Sequence, residues 1–96
     1  MVNTIQGDTF NLMFTVSGEI DQIDRLIFSS ADLGVVQDLE KQNAKQYLLE
    51  IDAAKTKNWK IGEATFDITV VFSNTHVRTI KYNEGIQVLK KTNRVN

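Results

Sequence analysis

Ninety-six residues with 42% hydrophobic and 24% charged content are the makings of one soluble globular domain rather than a disordered chain. A chain of this length buries roughly two-thirds of its unfolded surface, enough for one modest core. Eleven basic against twelve acidic residues leave a net charge of −1, so no strong field draws phosphate backbones or anionic lipid.

The chain has no cysteine, which removes disulfides, thiolate nucleophiles and cysteine metal sites and mildly favours a reducing compartment. The opening MVNTIQGDTF carries neither a basic nor an apolar signal region, and no apolar run approaches the roughly 20 residues a spanning helix requires. Synthesis in the cytoplasm without a secretory signal is therefore expected.

Period-two alternation dominates the pattern, as in strands with one buried face. In TFNLMFTV, Phe10, Leu12, Phe14 and Val16 face one way, and Thr9, Asn11, Met13 and Thr15 the other. SGEIDQID has turn composition, and RLIFSS reads as a short strand with Leu26 and Phe28 inward. ADLGVVQDLEKQNAKQ supplies one short strand near 34–40 and then a turn. In QYLLEI, Tyr47, Leu49 and Ile51 share a face opposite Leu48.

DAAKTKNW breaks the alternation, and its helix formers behind Asp52 suit one helical turn near 53–58, with Asp52 as the N-cap. EATFDITVVF is the strongest strand, with Phe66, Ile68, Val70 and Phe72 on one face and Thr65, Asp67 and Thr69 on the other. SNTH turns into the partner strand VRTIKY, NEG turns again, and IQVLKK closes the set.

These signals predict an all-β fold, an antiparallel sandwich of about seven strands with one short helical crossover. One domain is expected over 1–90, followed by a polar tail over 91–96 whose Lys91 and Arg94, with Lys90, form solvated terminal charge. With no Pro to guard edge strands, Lys81, Lys90 and Lys91 are the candidate guards.

Chemistry-bearing residues are sparse. His76 is the only imidazole, falls in a turn and lacks the partners a triad needs. Glu19, Asp21 and Asp24, with Asp8 nearby, have only part of the spacing of a calcium loop; a solvated turn is the commoner reading and a weak calcium site the alternative. Asp67 points outward on the alternation, or else accepts hydrogen bonds from a neighbouring turn as a structural group. Trp59 reads first as a core filler or lid and second as a ligand-stacking ring, with Tyr47 and Tyr82 the other candidates. Aromatics are not interleaved with basic residues as single-strand binding requires. No residue receives a catalytic, cofactor or metal role, no cofactor is expected, and the chain is read as a non-enzyme.

QGDTFNLMFTV resembles the GDT-led opening of a tailed-bacteriophage domain. YLLEIDAAKTKNWKIGEATFDITVVF is similar to that family's middle, and VRTIKYNEGIQVLKK to its closing hairpin with a Gly-led last strand. The family is the immunoglobulin-like domain at the N-terminus of phage upper baseplate proteins and in related small virion proteins. Its opening falls on Gly7 and Asp8, and its later Gly and Asp on Gly62 and Asp67. The aromatic usual two places before that Asp is replaced by Thr65, beside Phe66.

The resemblance implies an immunoglobulin-like sandwich in a phage or prophage particle, associated with baseplate, tail or head fibre. It implies a non-catalytic structural or adaptor role through other phage structural proteins or self-association, by edge strands or a sheet face. A homo-oligomer would be one form of that. The edge candidates are the first strand and the last, Ile86–Lys90. A glycan or small-ligand module serving adhesion is the alternative. Neither nucleic acid nor membrane is an expected partner.

Overall fold

A computed structural model describes residues 2–16, 23–82 and 85–91. Ten strand segments and one helical turn run in the order β1 (Val2–Ile5), β2 (Phe10–Thr15), β3 (Ile23–Ser30), β4 (Val35–Asp38), β5 (Glu40–Lys41), β6 (Gln46–Ile51), α1 (Ala53–Thr56), β7 (Gly62–Ala64), β8 (Asp67–Phe72), β9 (Val77–Lys81) and β10 (Ile86–Leu89). The all-β sandwich is the fold observed.

One layer is β2-β6-β5. The other consists of β4-β3-β8-β9 and β1-β10-β7, which share a long interrupted hairpin. Its first arm is β7 plus β8 and its second β9 plus β10: β8 pairs antiparallel with β9, and β7 with β10. From Asp67↔Lys81 to Ala64↔Ile86 the first arm moves three positions (67 to 64) and the second five (81 to 86). The second arm thus holds two extra residues, one more than a simple bulge inserts.

The core is the product of the alternation. Phe10, Tyr47, Leu49 and Ile51 from one layer meet Leu26, Phe28, Ile68 and Val70 from the other in one buried cluster, with Ile86 and Val88 continuing it. Leu12, Phe14 and Val16 pack against it half-buried, while Asn11, Met13 and Thr15 are exposed. Burying one large aliphatic or aromatic side chain contributes about 1.5–3 kcal/mol, so these inward positions are the main source of stability.

Several expectations are corrected. EATFDITVVF is not one continuous strand, because Thr65 and Phe66 belong to neither β7 nor β8. The groups that leave the ladder find partners in the turn after β3: Asp32 Oδ2 accepts from Thr65 N (2.9 Å) and Thr65 Oγ1 (3.1 Å), and Ser30 Oγ donates to Thr65 O (2.7 Å). Thr65 is exposed, so these bonds fix the course of the chain through the interruption rather than rescue buried groups.

Asn83 and Glu84 of the expected NEG turn lie outside the described residues; β9 and β10 do not pair with each other, β9 pairing with β8 and β10 with β7 and β1. Ile86–Leu89 is not an edge either, because β10 lies between β1 and β7. Its β1 neighbour runs parallel to it, with Val2↔Ile86 through Ile5↔Leu89, and four residues were too few to announce that strand. The two-residue β5 was equally silent. Counting each interrupted arm once, the ten segments among the described residues become eight strands, in keeping with the expected sandwich of about seven.

Asp24 lies within β3 and not in a turn, where the register slips between Ile23 and Arg25. The helical turn stands where expected, but it ends at Thr56, and Asp52 occupies the N-cap with no side-chain capping bond. Of the polar tail, only Lys91 is among the described residues, and its Nζ bonds Asp8 Oδ1 at 3.0 Å.

Gly85 is fully packed at the level where the second arm shifts; a β-carbon there would strike the Ala64 carbonyl oxygen. Gly85→Ala is expected to lower unfolding free energy by about 1–3 kcal/mol in chemical denaturation, the usual range for overpacking. Thr65 holds the Asp32 carboxyl below its ordinary pKa, through the backbone bond first and the hydroxyl bond second. A depressed folded value gives stability that is present above the ordinary carboxylate value and lost as pH falls through the folded one. The stability gap between wild type and Asp32→Ala should therefore be constant near neutrality and close in the acid range. A gap unchanged down to the lowest pH at which both proteins fold would show that the charge plays no part.

Candidate functional site: the seam between the layers

The residues singled out by sequence do not converge. His76 is exposed in the turn joining β8 to β9, where its N–H donates to Asn74 Oδ1 at 3.1 Å. It borders a hollow of about 430 Å³ with Phe72, Asn74, Val77 and Arg78, which brings no carboxylate to the imidazole. Asp67 is one-third exposed and meets Lys81 across the strand pair at 3.4 Å. Among the described residues the carboxylate that accepts from the backbone of another segment is Asp32, not Asp67. Its signal was its place in the turn just after a strand, where short carboxylates commonly bond nearby backbone.

Trp59 is only 4% exposed and stands edge-on to Phe10, with ring centroids 5.7 Å apart. Gln6 Nε2 donates to the Trp59 carbonyl oxygen at 2.7 Å, fixing the chain just after α1. Thr56 beside it is wholly buried; its Oγ1 donates to Asp8 O (2.7 Å) and accepts from Gly7 N (3.1 Å). Trp59 and Thr56 therefore plug one end of the sandwich. Tyr47 is also buried, and of the three candidate stacking rings Tyr82 alone is exposed. Glu19 and Asp21 lie outside the described residues, Asp24 is exposed on β3, and Asp8 is tied to Lys91. Among the described residues no group of three potential metal ligands comes together.

The structure does assemble one surface that sequence reading did not foresee. At the interruption of the hairpin Phe66 stacks on Phe28 (5.2 Å, 26°), and Tyr82 stacks on Phe66 (4.9 Å, 22°). Phe14 of β2 meets Phe66 and Tyr82 edge-on, at 6.3 Å and 6.1 Å. Two hollows flank this cluster along β2. One, of about 240 Å³, is lined by Phe14, Val16, Leu26, Val70, Ile80 and Tyr82 among others. The second, of about 230 Å³, reaches from Leu12 and Phe14 to Val2, Phe66, Tyr82 and Gly85. Phe14, Thr15 and Tyr82 line both, so the two form one apolar seam between the layers.

Free strand edges border the seam. Among the described residues β2 pairs only with β6, and β9 only with β8. Val16 N donates to Lys45 O on the β6 side, so by alternation Asn11, Met13 and Thr15 turn their backbone groups outward. On β9, Phe72 N donates to His76 O, which leaves Val77, Thr79 and Lys81 with outward backbone groups. The two edges differ in charge. β9 carries Arg78 and Lys81, whereas Phe10–Val16 carries no charge at all.

Trp59→Ala is expected to cost about 3–5 kcal/mol of folding stability, the usual range for a buried Trp. Titration of the folded wild type with short oligosaccharides should leave Trp59 emission unchanged. A saturable change in that emission would restore the stacking role.

No family model matches the chain, and neither does any curated protein. Among solved structures, the endo-β-1,4-mannanase from Thermotoga petrophila contains a similar fold, with a TM-score of 0.66 at 15% identity. The match covers 94% of this chain and 18% of the enzyme's chain, so the shared element is one domain-sized portion of a much longer protein. At that identity the likeness concerns the fold alone.

Proposed function

We propose that the chain is a non-catalytic structural or adaptor module of a bacteriophage or prophage virion, associated with baseplate, tail or head fibre and acting by protein–protein assembly. The seam is the observation that carries the assembly part: apolar side chains run beside strand edges whose backbone groups lack partners, and a docking chain satisfies both needs together. A small ligand would cover the apolar patch but leave the β2 backbone unpaired. The phage setting is supported by the sequence resemblance over Gln6–Val16, Tyr47–Phe72 and Val77–Lys91, although β9 and β10 pair with β8 and β7 and not with each other as the implied closing hairpin would.

The glycan alternative rested on Trp59 or the tyrosines; Trp59, its main support, and Tyr47 are taken up by the core, and Tyr82 alone is exposed. An enzyme would need titratable groups drawn into one cleft, and His76, Asp67 and Asp32 each serve separate local contacts.

Particle purification tests the proposal. The chain, detected by mass spectrometry in the bacterium that encodes it, should sediment with phage particles after induction and stay with them through a density gradient. Recovery wholly in the particle-free fraction would overturn the virion reading.

A further inference from the structure

We propose that β2 pairs antiparallel with the β2 strand of a second copy, joining two three-stranded layers into one six-stranded sheet across a two-fold axis. The inference rests on the assembly reading above and names its first contact. Natural edge strands are usually shielded by charge, Pro, bulges or short length. β2 has none of these over six residues, a run of about 20 Å. The other edges of the sandwich are shielded or short. β5 is two charged residues, β7 has three residues, β4 and β1 have four each, and β9 has Arg78 and Lys81.

Charge decides the occupant. Two copies meeting at β9 would bring Arg78 and Lys81 of each toward those of the other, whereas two β2 edges bring no charge together. The strand that the seam requires is also the one bordering it: extended, uncharged and apolar at alternate positions. Such self-complementarity is the condition for an isologous two-fold contact.

The outward backbone groups set the register. With Asn11, Met13 and Thr15 facing out, pairing about Met13 sets Met13 opposite its copy, Asn11 opposite Thr15, Leu12 opposite Phe14 and Phe10 opposite Val16. Apolar side chains then meet apolar ones on the inner face, while on the outer face Asn11 meets Thr15 and Met13 meets its own copy, all like-with-like cross-strand combinations. Leu12 and Phe14 of the second copy extend the inner face toward the seam, beside the half-exposed Ile80 and Tyr82.

A cysteine-free chain allows a direct test. Directly opposed residues of a hydrogen-bonded antiparallel pair have Cα atoms about 5.5 Å apart, inside the roughly 4.4–6.8 Å a disulfide accepts. Met13 is 47% exposed, so Met13→Cys leaves the core intact. Under mild oxidation it should form a covalent dimer about ten-fold faster or more than Thr79→Cys on β9 or Val36→Cys on β4. Sedimentation equilibrium of the wild type should show a concentration-dependent dimer. Thr15→Lys should weaken that dimer by roughly ten-fold or more, because it adds a guarding charge to the edge. Faster cross-linking at Thr79 or Val36, or a wild type monomeric at every concentration, overturns the β2 pairing. Particle sedimentation decides the virion reading independently, so a monomer that still travels with particles would sink this inference alone, and point to a different protein's strand in the seam.

Discussion

The three hydrogen bonds around Thr65 are the constraint from which the rest of this sandwich follows. A strand that leaves its sheet for two residues gives up its ladder partners, and the bonds that replace them fix the path of the chain. Asp32 and Ser30, from the turn after β3, take up the N–H, the hydroxyl and the carbonyl of Thr65. Ser30 Oγ also accepts from Leu33 N at 3.2 Å, which holds that turn in shape. With these bonds made, the long hairpin is interrupted without leaving Thr65 unsatisfied.

The interruption brings aromatic surface to the flank. Phe66 sits between Phe28 and Tyr82 as the middle ring of a stack, and Phe14 closes on it from the opposite layer. The two extra residues of the second arm separate the pairing of β9 from that of β10, and Gly85 presses against Ala64 where pairing resumes. β10 is then free to accept β1 on its other side. The same offset leaves β9 at an edge, its inner-facing Ile80 half-covered, and the seam open along β2. Core construction and a surface for other chains thus share one origin.

At the far end, polar bonding closes the sandwich where strands cannot. Thr56, at the end of α1, ties the chain at Gly7 and Asp8 and places Trp59 against Phe10. The helical turn is too short to be stable by itself. Its contribution is to carry a buried hydroxyl and a large ring to that end, which is why the lone Trp belongs to the scaffold.

The sequence by itself determined the fold class, the inward faces of β2, β3, β6 and β8, the crossover and the turn at His76. Each rests on local periodicity or composition, which a strand with one buried face imposes on its own residues. The pairing of β1 with β10, the break at Thr65, the part taken by Asp32 and the seam were decided only by the tertiary structure. Asp32 and Thr65 are thirty-three positions apart, and Phe14 meets Tyr82 from the opposite layer. Alternation tells which way a side chain points relative to its own strand; it holds no information on where the other layer ends. The uncharged face of β2 was legible as core pattern, but that its backbone edge is free depends on which strands fold beside it.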